Sequence, residues 1–322
     1  MPRKKAQPRP VTPLSASAFE QAWSSLRAPQ TPPPTVSARW LLIAVSLTIV
    51  AAAACAWFAL CFLFWQGSWQ LLYHPTSAVT RTPVSIGLPY DSVGFAVTAS
   101  GSPQLHGWWI PYGPESRYTA IYLHGADGNL GDMVDALIPL RGAKLNIFAF
   151  DYRGYGMSSF KRPSEARWRE DAESAIEYLT NTRHIPAGSL VIFGQGLGAN
   201  LALQVAAAHP DLAGVVMDEP LPVPDDAIFS DPRARLVPAH ALVRDHWDSK
   251  AAAISLRIPS LWFYRTPAHG HTKAKMLKAY QQVTAQKEQV WLLEEPGAAK
   301  NYYFALTRWL DDLPTPAPPP HP

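Results

Sequence analysis

Residues 189–198 read Ser189-Leu190-Val191-Ile192-Phe193-Gly194-Gln195-Gly196-Leu197-Gly198, and Ala199-Asn200-Leu201-Ala202-Leu203 follows. A run rich in β-branched and aromatic residues ends at closely spaced glycines and gives way to a helical stretch, so a strand turns directly into a helix. The same alternation recurs on both sides. Candidate strands are Val93–Ala99, Leu105–Ile110, Thr119–Leu123, Asn146–Phe150, Ser189–Phe193, Gly214–Met217, Ser260–Tyr264 and Gln289–Leu293. Candidate helices are Asp132–Leu140, Ser164–Leu179, Leu197–Ala208, Lys273–Thr284 and Tyr302–Leu310. Short strands alternating with helices predict an α/β fold with a mostly parallel sheet covered by helices on both faces. The first two strands are near enough in sequence for a hairpin; the later ones are separated by helices, as right-handed crossovers require. Leu221–Pro259 fits neither period, which predicts a short cap inserted between two strands.

The composition divides by position. Only 16% of the 322 residues are charged and 32 are proline, but eight prolines precede Arg39 and six lie after Leu313. Residues 1–39 and 313–322 are thus expected to be disordered arms, with the folded domain over 70–312. Between them Trp40–Trp65 carries no Asp, Glu, Lys or Arg. About 20 apolar residues span a bilayer as a helix, so residues 40–65 are expected to cross one. Arg3, Lys4, Lys5, Arg9, Arg27 and Arg39 precede this run against the single acid Glu20, and no further Lys or Arg appears until Arg81. The positive-inside bias places the N-terminus in the cytoplasm and the folded domain outside it. A cleaved signal peptide is the competing reading, with Ala51–Cys55 as a cleavage box. The long preceding arm and the apolar run continuing past Cys55 speak against it. Beyond Arg39 there are 22 basic and 24 acidic residues, so the basic pI belongs to the arm and is no argument for nucleic-acid binding. Both cysteines, Cys55 and Cys61, fall in the apolar run. The folded part therefore has no disulfide, Cys-ligated metal or cysteine nucleophile.

In open α/β sheets ligands bind beyond the carboxyl ends of the strands. Four such junctions stand out: His124-Gly125-Ala126-Asp127-Gly128-Asn129, Asp151-Tyr152-Arg153-Gly154-Tyr155-Gly156-Met157-Ser158-Ser159, Gly194–Gly198, and Asp218-Glu219-Pro220. With Leu72-Tyr73-His74-Pro75 and Trp247-Asp248-Ser249, their order and spacing resemble the α/β-hydrolase family, in particular its membrane-anchored single-span branch related to serine aminopeptidases and acyl hydrolases. That resemblance covers about residues 70–310. It implies an oxyanion turn at His124-Gly125, with donors from the Ala126 and Leu197 amides, and a nucleophile elbow at Gly194–Gly198.

The catalytic triad is missing from its positions. The family writes its elbow G-x-S-x-G, followed in chain order by an acid and a histidine; here the serine position is Gly196. No Asp or Glu lies between Asp248 and Glu288, and Ala268 falls where the acid is expected. No histidine occurs between His271 and His321, and Lys300 takes the histidine's place. Glycine adopts the elbow's strained backbone at little cost, so Gly196 retains the turn and deletes the chemistry. The Ala126 and Leu197 amides, with His124 and Gly125 shaping the turn, leave a site for an anion or carbonyl.

These residues lead to a protein that binds a small-molecule, lipid or protein ligand at a disabled active site, with no cofactor and no metal. An alternative is residual hydrolysis in which Lys300 or a histidine from His269 or His271 activates water. A third reading takes Gly194-x-Gly196-x-x-Ala199, with Asp218 after the next strand, as a dinucleotide fingerprint. Against it, the unit is the fifth strand, and the His124 and Asp151 blocks have no role there. Among the blander readings, Gly194 and Gly198 serve helix–strand packing, and Asp151 and Arg153 form a buried structural pair. Trp108 and Trp109 are half-buried strand residues. His269 and His271 with His240 or His246 lack a nearby carboxylate to orient the rings, which a metal site would need.

Overall fold

The structure is a computed structural model and describes residues 15–26, 36–97, 101–102, 104–266, 273–293 and 298–316. The chain divides into two compact units, Met1–Phe58 and Ala59–Pro322. The first holds helix α1 (Ala16–Leu26) and most of helix α2 (Ala38–Gly67). At about 1.5 Å rise per residue the 30 residues of α2 extend roughly 45 Å, enough to cross a hydrocarbon layer of about 30 Å. Its Trp40, Leu41, Leu42, Leu47, Ile49 and Val50 are exposed. By length and composition it is the one helix among the described residues suited to span a membrane.

In the second unit eight strands form one sheet: β1 (Asp91–Phe95), β2 (Leu105–Ile110), β3 (Thr119–Leu123), β4 (Asn146–Asp151), β5 (Leu190–Gln195), β6 (Gly214–Asp218), β7 (Ser260–Thr266) and β8 (Lys287–Leu293). Their spatial order is β8-β7-β6-β5-β3-β4-β2-β1. β1 and β2 make the expected hairpin, β2 runs antiparallel to β4, and the remaining pairs are parallel. Successive side chains alternate between two buried faces. Ile121, Phe148, Ile192, Val215 and Trp262 pack with helices α4 (Glu165–Glu177) and α5 (Leu197–Ala208). Tyr122, Ala149, Phe193, Val216 and Phe263 face α3 (Leu137–Gly142) and α7 (Ala298–Asp312). Because helices cover both faces, the central strands carry near-continuous apolar runs in place of an apolar–polar alternation.

Element ends moved where local chemistry overrides period. The helix expected at Asp132–Leu140 opens as a 3-10 turn, Leu130–Ala136, capped by Asn129 and Asp132, before becoming α3. Pro139 sits in the first turn of α3, where its missing N–H costs nothing. Lys273–Thr284 is two short helices, Lys273–Met276 and Lys278–Gln282. The segment between β6 and β7 consists of short turns and helix α6 (Ser249–Ser255), tied to α5 by Asn200 Nδ2 donating to Ser249 Oγ at 2.8 Å. Trp108 is fully buried, unlike the half-buried Trp109, because its ring points to the face covered by α3.

Candidate functional site

β5 delivers the chain to Gly196, whose φ of 57° and ψ of −123° lie in a region that residues with a side chain rarely occupy. The turn is held from both sides. Gly196 N–H donates to the Asp218 carbonyl at 2.8 Å, and its own carbonyl accepts from Ala199 N–H at 3.0 Å. A methyl group on Gly196 would meet only the Gly125 Cα, at 3.9 Å, so space is open over the elbow and the His124-Gly125 turn borders it. Gly194 and Gly198 differ. A Cβ on Gly198 would lie 2.2 Å from the Leu123 carbonyl oxygen, and one on Gly194 would lie 2.3 Å from the Gly198 oxygen. Their absence of a side chain lets α5 start against β3 and β5.

The His124–Asn129 turn is held by segments far apart in sequence. Ala126 O accepts from His74 N–H at 2.9 Å and from Tyr155 OH at 2.8 Å. Asn129 Nδ2 donates to Thr76 Oγ1 at 2.7 Å and to Ala78 O at 2.9 Å, and His74 Nδ1 meets Asp127 Oδ1 at 2.6 Å. Leu72-Tyr73-His74-Pro75 and the Asp151–Ser159 block thus clamp the turn. Among the described residues neither the Ala126 nor the Leu197 N–H has a hydrogen-bond partner. Leu197 opens α5, whose first amides are unpaired within the helix and favour negative charge.

His124 is fully buried between Tyr152, Tyr155 and Trp168. Its Nδ1 lies 2.8 Å from the Gly125 carbonyl, which can only accept, so Nδ1 carries the proton. Burial pushes the imidazole down to about 4 and the carboxyl of Asp151, 3.5 Å from His124 Nε2, up to about 7. The contact therefore joins a neutral ring to an acid that retains its proton toward neutrality; it is not an ion pair. Asp151 Oδ1 also accepts from Leu130 N–H at 2.9 Å. The expected Asp151–Arg153 pair is not formed. Arg153 turns to α4, where Nε lies 2.5 Å from Asp171 Oδ1 and a terminal nitrogen reaches Glu170. Asp171 is fully buried, so Asp171→Ala leaves a buried guanidinium half-compensated. It is expected to cost about 3–5 kcal/mol in urea unfolding; a loss below about 1 kcal/mol would contradict this role.

Lys300 lies exposed on α7, its ammonium 5.6 Å from the Phe304 ring. Ala268, His269 and His271 lie outside the described residues.

A polar group that sequence reasoning assigned a role only in the dinucleotide reading completes the strand ends. Asp218, at the end of β6, is buried; Tyr302 OH is 3.4 Å from Oδ2, Arg265 is 3.7 Å from Oδ1, and Oδ1 has no hydrogen bond. Burial pushes this carboxyl up to about 7, against the pull of Arg265. Arg265 also pairs with Glu219 at 2.7 Å, and Tyr122 OH donates to Gln195 Oε1 at 2.6 Å. Gln195, Asp218, Arg265 and Tyr302 border a cavity of about 640 Å³ whose other walls include Ile138, Pro139, Leu292 and Tyr303. Asp218-Glu219-Pro220 at a strand end was the available signal; Tyr302 and Arg265 carried none. Asp218 thus faces Arg265 and Tyr302, and the dinucleotide reading gains no support from the fold.

A family model described as the alpha/beta hydrolase family matches residues 105–319. The chain belongs to the alpha/beta hydrolase family. An uncharacterized protein of Mycobacterium tuberculosis is 28% identical over 219 residues, covering 67% of this chain and 75% of that protein. Over shorter stretches the chain is 29% identical to the alpha/beta hydrolase domain-containing protein WAV2 of Arabidopsis thaliana, covering 43% of this chain and 44% of WAV2. It is 35% identical to protein bem46 of Schizosaccharomyces pombe, covering 30% of this chain and 33% of bem46. Among solved structures, the Pyrococcus furiosus esterase Pf2001 superimposes with a TM-score of 0.59 at 18% identity, over 75% of this chain and 98% of the esterase. That likeness is one of fold.

Proposed function

We propose that this α/β-hydrolase chain is anchored by α2, with its basic arm in the cytoplasm, has lost serine hydrolysis, and binds a small ligand at the old catalytic face. The observation that carries the reading is Gly196. The elbow retains its strained backbone, the space above it and the flanking amides, but it holds no nucleophile. General-base attack by water with an oxyanion hole alone is a weak route by comparison.

The cavity beside the elbow suggests the ligand's chemistry. Its lining combines apolar Ile138, Pro139 and Leu292 with polar Gln195, Arg265 and Tyr302. An amphiphile with a hydroxyl or amine head suits both features. The full chain in detergent is expected not to react with a fluorophosphonate probe; stoichiometric labelling would overturn the loss of hydrolysis. A medium-chain primary alcohol is expected to raise the Tm of the wild type and not that of Ile138→Trp, which fills the cavity mouth. Equal shifts in both chains would count against the binding site.

A further inference from the structure

A second concave surface lies where the chain leaves its apolar helix. Trp65, in the last turn of α2, and Ser68 and Trp69 just after it line a groove of about 680 Å³ with Arg162, Arg167, Arg169 and Arg244. Three acids, Glu165, Glu170 and Asp245, share the groove; Glu170 is paired with Arg153, whereas Glu165 and Asp245 are held by neutral donors and offset two of the four arginines. Glu165 accepts from Gln204 and from the His246 and Trp247 amides. Glu170 holds Arg153, and Asp245 accepts from Tyr73 OH at 2.7 Å. The arginines are less well matched. Arg162 donates to Trp65 O at 3.0 Å and lies over the Trp69 ring, and Arg167 donates to the Arg162 carbonyl at 2.7 Å. Neither bond neutralises a charge. Arg169 and Arg244 are exposed and have no partner among the described residues.

We infer that this groove binds the phosphate of an anionic phospholipid headgroup in the leaflet at the carboxyl end of α2. Tryptophans at the end of an apolar helix suit the headgroup level, and the fold brings a net excess of arginine beside Trp65 and Trp69, where an anionic membrane surface attracts it. Guanidinium groups bind phosphate through paired N–H donors. The inference rests on the reading that α2 spans a bilayer. It is independent of any ligand at the elbow.

The test uses the full chain in nanodiscs of phosphatidylcholine, with or without phosphatidylglycerol, and counts phosphatidylglycerol retained on the protein by native mass spectrometry. Each arginine near an anionic surface contributes about fivefold in affinity. Arg169→Gln with Arg244→Gln is therefore expected to lower phosphatidylglycerol retention on the order of 25-fold. Arg117→Gln, remote from the groove, should leave it unchanged. Both variants keep the residues that hold the fold, and unchanged thermal unfolding checks this. Undiminished retention in the double variant would overturn the inference, as would competition by inorganic phosphate at concentrations equal to the lipid, which would identify a free-anion site. Extraction of the chain from liposomes by alkaline carbonate would instead overturn the spanning reading.

Discussion

Gly198→Ala is expected to prevent folding of the hydrolase region, whereas Gly196→Ala leaves it folded. The contrast comes from what each new methyl group would meet. At 198 it would lie 2.2 Å from the Leu123 oxygen and 2.3 Å from the His124 oxygen, both backbone atoms of a central strand and its exit turn. Neither can yield without parting α5 from the sheet. Ordinary overpacking costs about 1–3 kcal/mol, and a clash with backbone on a central strand should exceed that range. With typical net stabilities of about 5–15 kcal/mol, such a loss leaves little margin. At 196 the new methyl group has free space and the cost is backbone strain alone, about 1–3 kcal/mol. Urea unfolding of the full chain in detergent, followed by tryptophan fluorescence, distinguishes them. A Gly198→Ala midpoint equal to that of Gly196→Ala would show that the helix–sheet contact is looser than the structure has it.

Asp218→Asn is expected to stabilise the protein at alkaline pH and to have no effect at acid pH. In the folded chain this carboxyl titrates at about 7; free of the fold it titrates near 3.8. Between those values the folded state holds a proton that the unfolded state has released. Stability therefore falls as pH rises from about 4 to about 7, and stays level above that. A carboxyl displaced that far costs on the order of 4 kcal/mol to keep ionised in the fold, all of it present as a penalty above neutrality. Asparagine has no such proton, so the variant-minus-wild-type difference should be near zero at the acid end and reach its plateau above neutral pH. His124, whose lowered value gives the opposite slope, is common to both chains and cancels. A pH-independent difference would mean that Asp218 is ionised throughout and held by Arg265.

Much of the fold was legible because it is written in local pattern. The strands Leu105–Ile110 and Thr119–Leu123 stand where the apolar runs put them, and Leu197–Ala208 is the helix that follows the elbow. Strand ends were less legible. Gln195 belongs to β5, where Tyr122 on the neighbouring strand bonds its amide, a cross-strand contact that no periodicity encodes. Arg153 shows the same limit. It lies two positions after Asp151, yet it pairs with Asp171 on a helix, because α4 packs that carboxylate beneath the turn.

The sequence alone determined what chemistry is absent: Gly196 has no Oγ in any conformation, and the run Trp40–Trp65 is without charge in any fold. The tertiary structure decided what the remaining groups face. Asp218 became a buried acid facing a tyrosine only when α7 brought Tyr302 over it, and Arg244 joined Arg162, Arg167 and Arg169 only when the segment after β6 folded beside α4. Local covalent facts and short periods survive in a linear string. Burial and charge balance depend on contacts between residues tens of positions apart, and exist only once the helices have closed on the sheet.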